Sequence, residues 1–290
     1  MTDAATHPAA GSTWSRIVGP FGKSISGTVG AILVLIVLVF VFIGPLVWTV
    51  DPNAQNLIDS FLAFSSAHPL GTDDQGRDTL ARMMVGGRTS LLIGFGSMSL
   101  GLVLGATAGI VAALRGGIAE TLVMRFVDAL LALPGIVQAV IFAAIFGRGL
   151  GPLIIALGIY SLPIFARVSY TMTRQVIGHD YFNAAIILGA SKTRAVFIHI
   201  LPNIATAIMA VATLRIGSNI LTGAALNFFG LGVQPPSPEW GLMIADARQF
   251  SWQMPELLIL PGIALFITSI GFNLLGDGIR DWFDPKLRNT

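Results

Sequence analysis

Cysteine is absent from all 290 residues, so neither a disulfide nor a thiolate metal site can be built from this chain. Charge is scarce as well: Asp, Glu, Lys and Arg make up 11% of the residues, about half the share of a soluble domain. With a hydrophobic fraction of 54% and a mean hydropathy of +0.77, that scarcity excludes an ordinary soluble fold and points to an integral membrane protein. A net charge of +2 gives no reason to expect a nucleic-acid partner. A complete phosphate loop is also missing. "FGKS" at 21–24 echoes the end of one, but Ile17 stands where the first glycine is required. No other G-x-x-x-x-G-K-S/T occurs, so the chain is expected neither to bind nor to hydrolyse ATP, and no catalytic residue or resident cofactor is expected.

Long apolar runs are abundant. A helix needs about 20 apolar residues to cross the hydrocarbon. Charge-free runs of that order lie between Lys23 and Asp51, Arg88 and Arg115, Asp128 and Arg148, Arg148 and Arg167, and Glu256 and Asp277. A further run, Ile204 to Leu226, is interrupted only by Arg215. The expected fold is therefore an all-α membrane protein of about six transmembrane helices. Its parts are a tail over 1–28, a first span over 29–50, an outer loop over 51–88 and a membrane core over 89–278. That core includes a loop over 174–202 and an outer segment over 233–256, and a tail over 279–290 follows. The first apolar run exceeds the core of a signal peptide, and no small-x-small site follows Trp48, so a retained anchor is expected. Six spans leave both ends on one side. With the N-terminus inside, eleven Lys and Arg fall on inner segments against Arg77, Arg82, Arg88, Arg148 and Arg248 outside. The positive-inside rule then puts both termini in the cytoplasm.

"YFNAAIILGASKTRAVFIHILPN", from Tyr181 to Asn203, is greasy but is not a span. Its charge-free stretch ends at Ser191, and burying Lys192 and Arg194 would cost roughly 2.5–3.5 kcal/mol each. It reads as two short helices in a cytoplasmic loop. Asp180 would cap a first helix through Leu188, and Gly189 would end it. Ser191 would cap a second, with Val196, Phe197 and Ile200 on one side and Pro202 marking entry to the fifth span. Ala184 and Ala185 offer a face of little bulk, suited either to lipid headgroups or to close approach by a partner.

The order Asn183-Ala184-Ala185, Gly189, Leu201-Pro202 resembles the "EAA" loop of ABC importer permeases, closest to the C-type subunit of the dipeptide and oligopeptide importers. "HPLGTDDQGRD" (68–78), "LGAS" (188–191), "HILPN" (199–203), "FFGLGVQPPSPEWGLMI" (228–244) and "FNLLGDGIRDWFDPKLR" (272–288) agree with that family in the same order. The resemblance implies a type I importer permease fold whose loop is a coupling helix docking on an ATPase. Asn183, Ala184, Ala185, Leu188, Gly189, Ala190 and Ser191 would make that contact. It further implies a homologous second permease, two ATPase subunits or domains carrying ATP and Mg, an extracytoplasmic binding protein, and a peptide substrate at the bacterial inner membrane. Two departures stand out: Asn183 replaces the usual acid, and Gly223 stands where similar chains often carry Glu.

Other candidates have bland and functional readings side by side. Arg215 would either line the translocation path and meet a carboxylate, or pair with Asp128 or an acid of a partner subunit. His68, Asp73, Asp74 and Asp78 could suggest a metal cluster. The spacing Thr72-x-x-Gln75 instead reads as a capping box at a helix start, and the resemblance implies that Asp73, Asp74, Arg77 and Asp78 lie on an outer surface facing the binding protein. Gly101, Gly105 and Gly109, extended by Ser97, form a small-residue stripe for packing, either internal or against a second permease. Pro134, Pro163 and Pro261 are expected to kink the third, fourth and sixth spans. Three rivals are carried forward. One is an ion-coupled secondary transporter, although no internal repeat is evident. The second is an ABC permease for a non-peptide solute such as a metal chelate. The last is an intramembrane hydrolase using Ser191 or Ser161 with His179 or His199, which lacks a G-x-S-x-G.

Overall fold

The computed structural model describes residues 24–189 and 191–283. Apolar runs of this length must satisfy their backbone groups internally, and helix does so within each run. Nine helices of eight residues or more form among the described residues. They are α1 (Ile25–Val47), α2 (Thr79–Arg115), α3 (Gly117–Leu131), α4 (Gly135–Phe146), α5 (Leu150–Ile177), α6 (Asp180–Ile187), α7 (Val196–Phe228), α8 (Trp240–Ala247) and α9 (Glu256–Phe283). Five of them, α1, α2, α5, α7 and α9, are long and apolar enough to cross a membrane singly. The third expected span is different. α3 and α4 together form a bent pair with an angle of 103° at Ala132, Leu133 and Pro134. Proline lacks a donor and pushes its predecessor out of the helical region, so the chain turns there instead of kinking. Pro163 and Pro261, by contrast, sit inside the continuous helices α5 and α9.

Glycine contacts fix the relative directions of two helix pairs. A Cβ at Gly101 would stand 2.8 Å from the Gly158 carbonyl, at Gly105 2.4 Å from that of Leu162, and at Gly109 2.3 Å from that of Ala166. Partner numbers rise together, so α2 and α5 run parallel and the α3–α4 pair must recross the bundle between them. The small-residue stripe is thus an internal seam, where close backbone approach replaces the hydrophobic drive that lipid removes. Ser97, at the top of the stripe, turns instead to α7. α9 runs antiparallel to α1, with Gly30 against the Leu275 backbone and Gly27 against Gly278. Both ends of the described chain therefore meet at the end of the bundle that carries α6, where the Ser24 hydroxyl donates to Asp281 at 3.0 Å. This is called the loop end below, and the opposite one the capped end. The expected tails over 1–28 and 279–290 fall largely outside the described residues, and α1 begins at Ile25 rather than 29.

Two further expectations change. α7 starts well before Ile204, because the turn Lys192–Ala195 and a π-helical turn over Val196–Ile200 run straight into it. Pro202 follows directly after that turn and lies within the helix. Ile200 is buried whereas Phe197 is exposed, so the two do not share a face. The Thr72–Gln75 capping box does not form either. Residues 72–78 close into a tight loop through the Thr72–Asp78 bridge, with Gly76 at φ +69°. The Thr72 hydroxyl accepts from the Leu62 N–H at 2.8 Å and donates to the Asp59 carbonyl. Asp78 caps α2 instead, its Oδ1 accepting from the Ala81 N–H at 2.7 Å.

Candidate functional site

At the loop end, α6 follows α5 after Gly178 and His179. One side chain anchors it: Phe182 is buried among Ile110, Val176, Ile200, Ile204 and Ile208. Ala184 is exposed and Ala185 half-buried. Beyond them Ile187 and Leu188 are 85% and 87% exposed. Gly189 then takes φ +91° with open space around it, so glycine is needed there for backbone conformation and not for room. Ser191 accepts from the Arg194 N–H at 3.2 Å and caps the next turn. His179 stacks on Tyr181 at 5.6 Å, and His199 is tilted against the same ring at 6.2 Å. Ala190 and the side chain of Asn183 lie outside the described residues. Sequence reasoning singled out Leu188 but not Ile187. The available signal was a pair of large apolar residues directly before the terminating glycine.

At the capped end, residues 51–78 and 229–255 fold over the bundle. Glu239 caps α8 and is fully buried, with one oxygen accepting from the Ser90 hydroxyl at 2.6 Å and the other from the Leu242 N–H at 2.9 Å. Burial pushes its carboxyl above the usual range, against the opposing pull of those hydrogen bonds. The Trp240 indole N–H donates to the Met83 carbonyl at 2.9 Å, and its ring fills the space over Gly87. His68 Nδ1 is 2.9 Å from Asp78, whose other oxygen accepts from the Trp48 indole at 3.1 Å. Asp73 lies 2.6 Å from Arg77 and 3.4 Å from Arg82, and Asp74 lies 3.7 Å from Arg77. These groups and Asp246 line one small cleft. Asp246, too, is pushed up by burial, with Arg82 opposing.

Part of the expectation for this end is therefore revised. Arg77 and Asp78 are each 2% exposed and serve the internal network, so they do not form an outward surface. Asp73 and Asp74 remain partly open. The acids that suggested a metal cluster are engaged by arginines, His68 and backbone donors, and no group of three metal-ligating side chains occurs among the described residues. Sequence reasoning missed Glu239, whose role depends on a serine 149 positions away.

Between the ends runs a buried polar tie. The Ser161 hydroxyl donates to Asn219 Oδ1 at 3.0 Å, and the Asn219 amide donates to Ser97 at 2.9 Å, joining α5, α7 and α2. One turn from Asn219, the Arg215 guanidinium lies 5.7 Å from the centre of the Tyr160 ring. Asp128 is not its partner. That carboxylate pairs with Arg167 of α5, and the neighbouring Glu120 accepts from the Tyr170 hydroxyl, so both acids tie α3 to α5. Gly223 packs between α2 and α5, where a Cβ would meet Ile93 at 2.8 Å, leaving no room for an acid.

The sequence profile described as "Binding-protein-dependent transport system inner membrane component" matches residues 101–289. The chain belongs to this family of ABC-importer permeases. It is 42% identical over 225 residues to the glutathione transport system permease protein GsiD of Pectobacterium atrosepticum, covering 78% of this chain and 75% of that one. It is 39% identical over 276 residues to the di/tripeptide transport system permease protein DppC of Pseudomonas aeruginosa, covering 91% and 89%. Among solved structures, a chain of the MetNI methionine ABC transporter in an inward-facing conformation superposes with a TM-score of 0.54 at 19% identity. That match covers 69% of this chain and 95% of the other, and shows a shared permease fold. The chain is thus a multi-pass membrane permease, and the ion-coupled alternative is not favoured.

Proposed function

We propose that this permease forms one half of the translocation pathway of an ATP-driven importer of small peptides. In this reading the loop end faces the cytoplasm, and the capped end faces a binding protein that delivers the substrate. A homologous permease supplies the other half, and two ATPase subunits or domains bind ATP and Mg below. The carrying observation is α6: a short helix held by Phe182 and running into two exposed apolar side chains, Ile187 and Leu188, at the end of the bundle where Ser24 meets Asp281. Large apolar groups so exposed on a charged loop fit a protein groove better than water. Peptide as substrate is supported by the names of relatives such as the di/tripeptide permease.

Mechanism follows from the attachment. When the ATPases close on ATP, α6 moves with them, and Phe182 transmits that movement to α2, α5 and α7, which surround its ring. The parallel α2–α5 seam has no room for sliding past its glycine contacts, so these helices shift as one body. Alternating access results when that body rocks against the second permease. ADP and phosphate release then resets it.

The natural absence of cysteine makes the docking testable. In the assembled complex, Leu188→Cys paired with a cysteine in the ATPase groove is expected to crosslink, with a yield that changes on adding ATP. A Leu188→Cys label equally accessible with and without the ATPases would sink the docking reading.

A further inference from the structure

We propose that Arg215, Tyr160 and the start of α4 form a mid-membrane subsite for the carboxylate of the transported peptide. It rests on the peptide-importer reading above.

Depth comes first. Tyr160 lies ten residues into α5, roughly 15 Å from its start, and Ser97 lies nine residues beyond Arg88, roughly 14 Å. Both are near the middle of a hydrocarbon layer about 30 Å thick. Arg215 stacks on Tyr160 and sits one turn from the Ser97–Asn219 tie, so its charge is at the same level.

A guanidinium at that depth faces a cavity or a counter-charge. Among the described residues no carboxylate pairs with it, since Asp128 is taken by Arg167. Arg215 is half-buried, on a half-exposed stripe of α7 made by Val211, Arg215, Ser218 and Thr222. The Ser218 and Thr222 hydroxyls bond back to carbonyls of their own helix, so the guanidinium is the group on this stripe that calls for a polar surrounding.

A second element converges on the same tyrosine. α4 opens at Gly135 with no side-chain cap, leaving its first N–H groups without helical acceptors. A Cβ at Gly135 would stand 3.1 Å from the Tyr160 hydroxyl. The chain just before it, Ala132, Leu133 and Pro134, is exposed. Irregular backbone at membrane depth is tolerated where it lines a cavity, and the positive end of a half-helix there favours an anionic substrate group. Guanidinium, phenol and helix N-terminus thus offer donors of one sign around one point. The terminal carboxylate is the anionic group that all unmodified peptides share, so it can be gripped without selecting side chains.

The test uses the whole complex in proteoliposomes with its binding protein. A tripeptide and its C-terminal amide are compared, with binding-protein affinity for each measured separately. Arg215→Gln is expected to lower uptake of the free-carboxylate peptide about tenfold more than uptake of the amide. Tyr160→Phe, which keeps the packed ring, is expected to lower free-peptide uptake about threefold more than that of the amide. Equal losses for both peptides overturn the subsite while leaving the importer reading intact. Loss of co-purification with the partner permease in Arg215→Gln also overturns it, in favour of an ion pair between subunits. Failure of the wild-type complex to import either peptide removes the importer reading itself, and the subsite with it.

Discussion

Glu239 and Trp240 at the capped end reach into α2 through hydrogen bonds to Ser90 and Met83, all out of water, and an arginine–carboxylate network lies beside them. α6 at the loop end is anchored chiefly by the Phe182 ring and ends in two exposed apolar side chains. Stability is concentrated where long segments outside the spans must hold their own fold. Where a partner has to grip and move the chain, few contacts resist. The largest expected effect therefore belongs to the capped end. Trp240 is fully buried, and Trp240→Ala should cost about 3–5 kcal/mol. Thermal unfolding of the detergent-purified protein would read it as a sharply lowered midpoint. An unchanged midpoint would mean that the cap contributes little to the stability of the bundle.

Phe182→Ala sharpens the contrast from the other side. The ring is as well buried as many core residues, but the helix it anchors is eight residues long and ends in exposed apolar side chains. Its loss is expected to detach α6 and lower the midpoint less than Trp240→Ala does, while transport per ATP hydrolysed by the complex falls severalfold. A stability loss equal to that of Trp240→Ala would erase the proposed difference between the ends.

Much of this contrast was legible in the residues. Runs free of charge located four of the five helices that cross singly, the run broken by Arg215 located α7, and Lys192 and Arg194 marked the chain before Val196 as lying outside the spans. The glycine stripe was visible as a packing surface, but its partner was not. Only the contacts with Leu162 and Ala166 make it internal. The third crossing was misread as a simple kinked span because hydropathy sums across Pro134 without sensing a 103° turn. Asp128, at the edge of the third run, was one of the two partners considered for Arg215, the charge that interrupts the fifth. Arg167, at the edge of its own run, supplies the pairing instead. The Glu239–Ser90 bond joins residues that share no local pattern, so no window along the chain could reveal it.

The smallest effect concerns Asp246, at the rim of the capped-end cleft. Its carboxyl is raised by burial, and Arg82 recovers only part of that cost. A raised carboxyl holds its proton to a higher pH in the folded state than in the unfolded chain. Its contribution to stability is therefore complete below the ordinary carboxylate range and is lost as pH rises through the folded value. Asp246→Asn removes that loss. The midpoint of the variant should draw level with or overtake that of the wild type on going from about pH 4 to 7. The gain is within roughly 0.5 kcal/mol, because the group is partly open to solvent and screened by it. A wild type that instead gained stability over the variant across this range would show that ionised Asp246 supports Arg82 more than burial penalises it. The arginine–carboxylate network of the cap would then extend to α8.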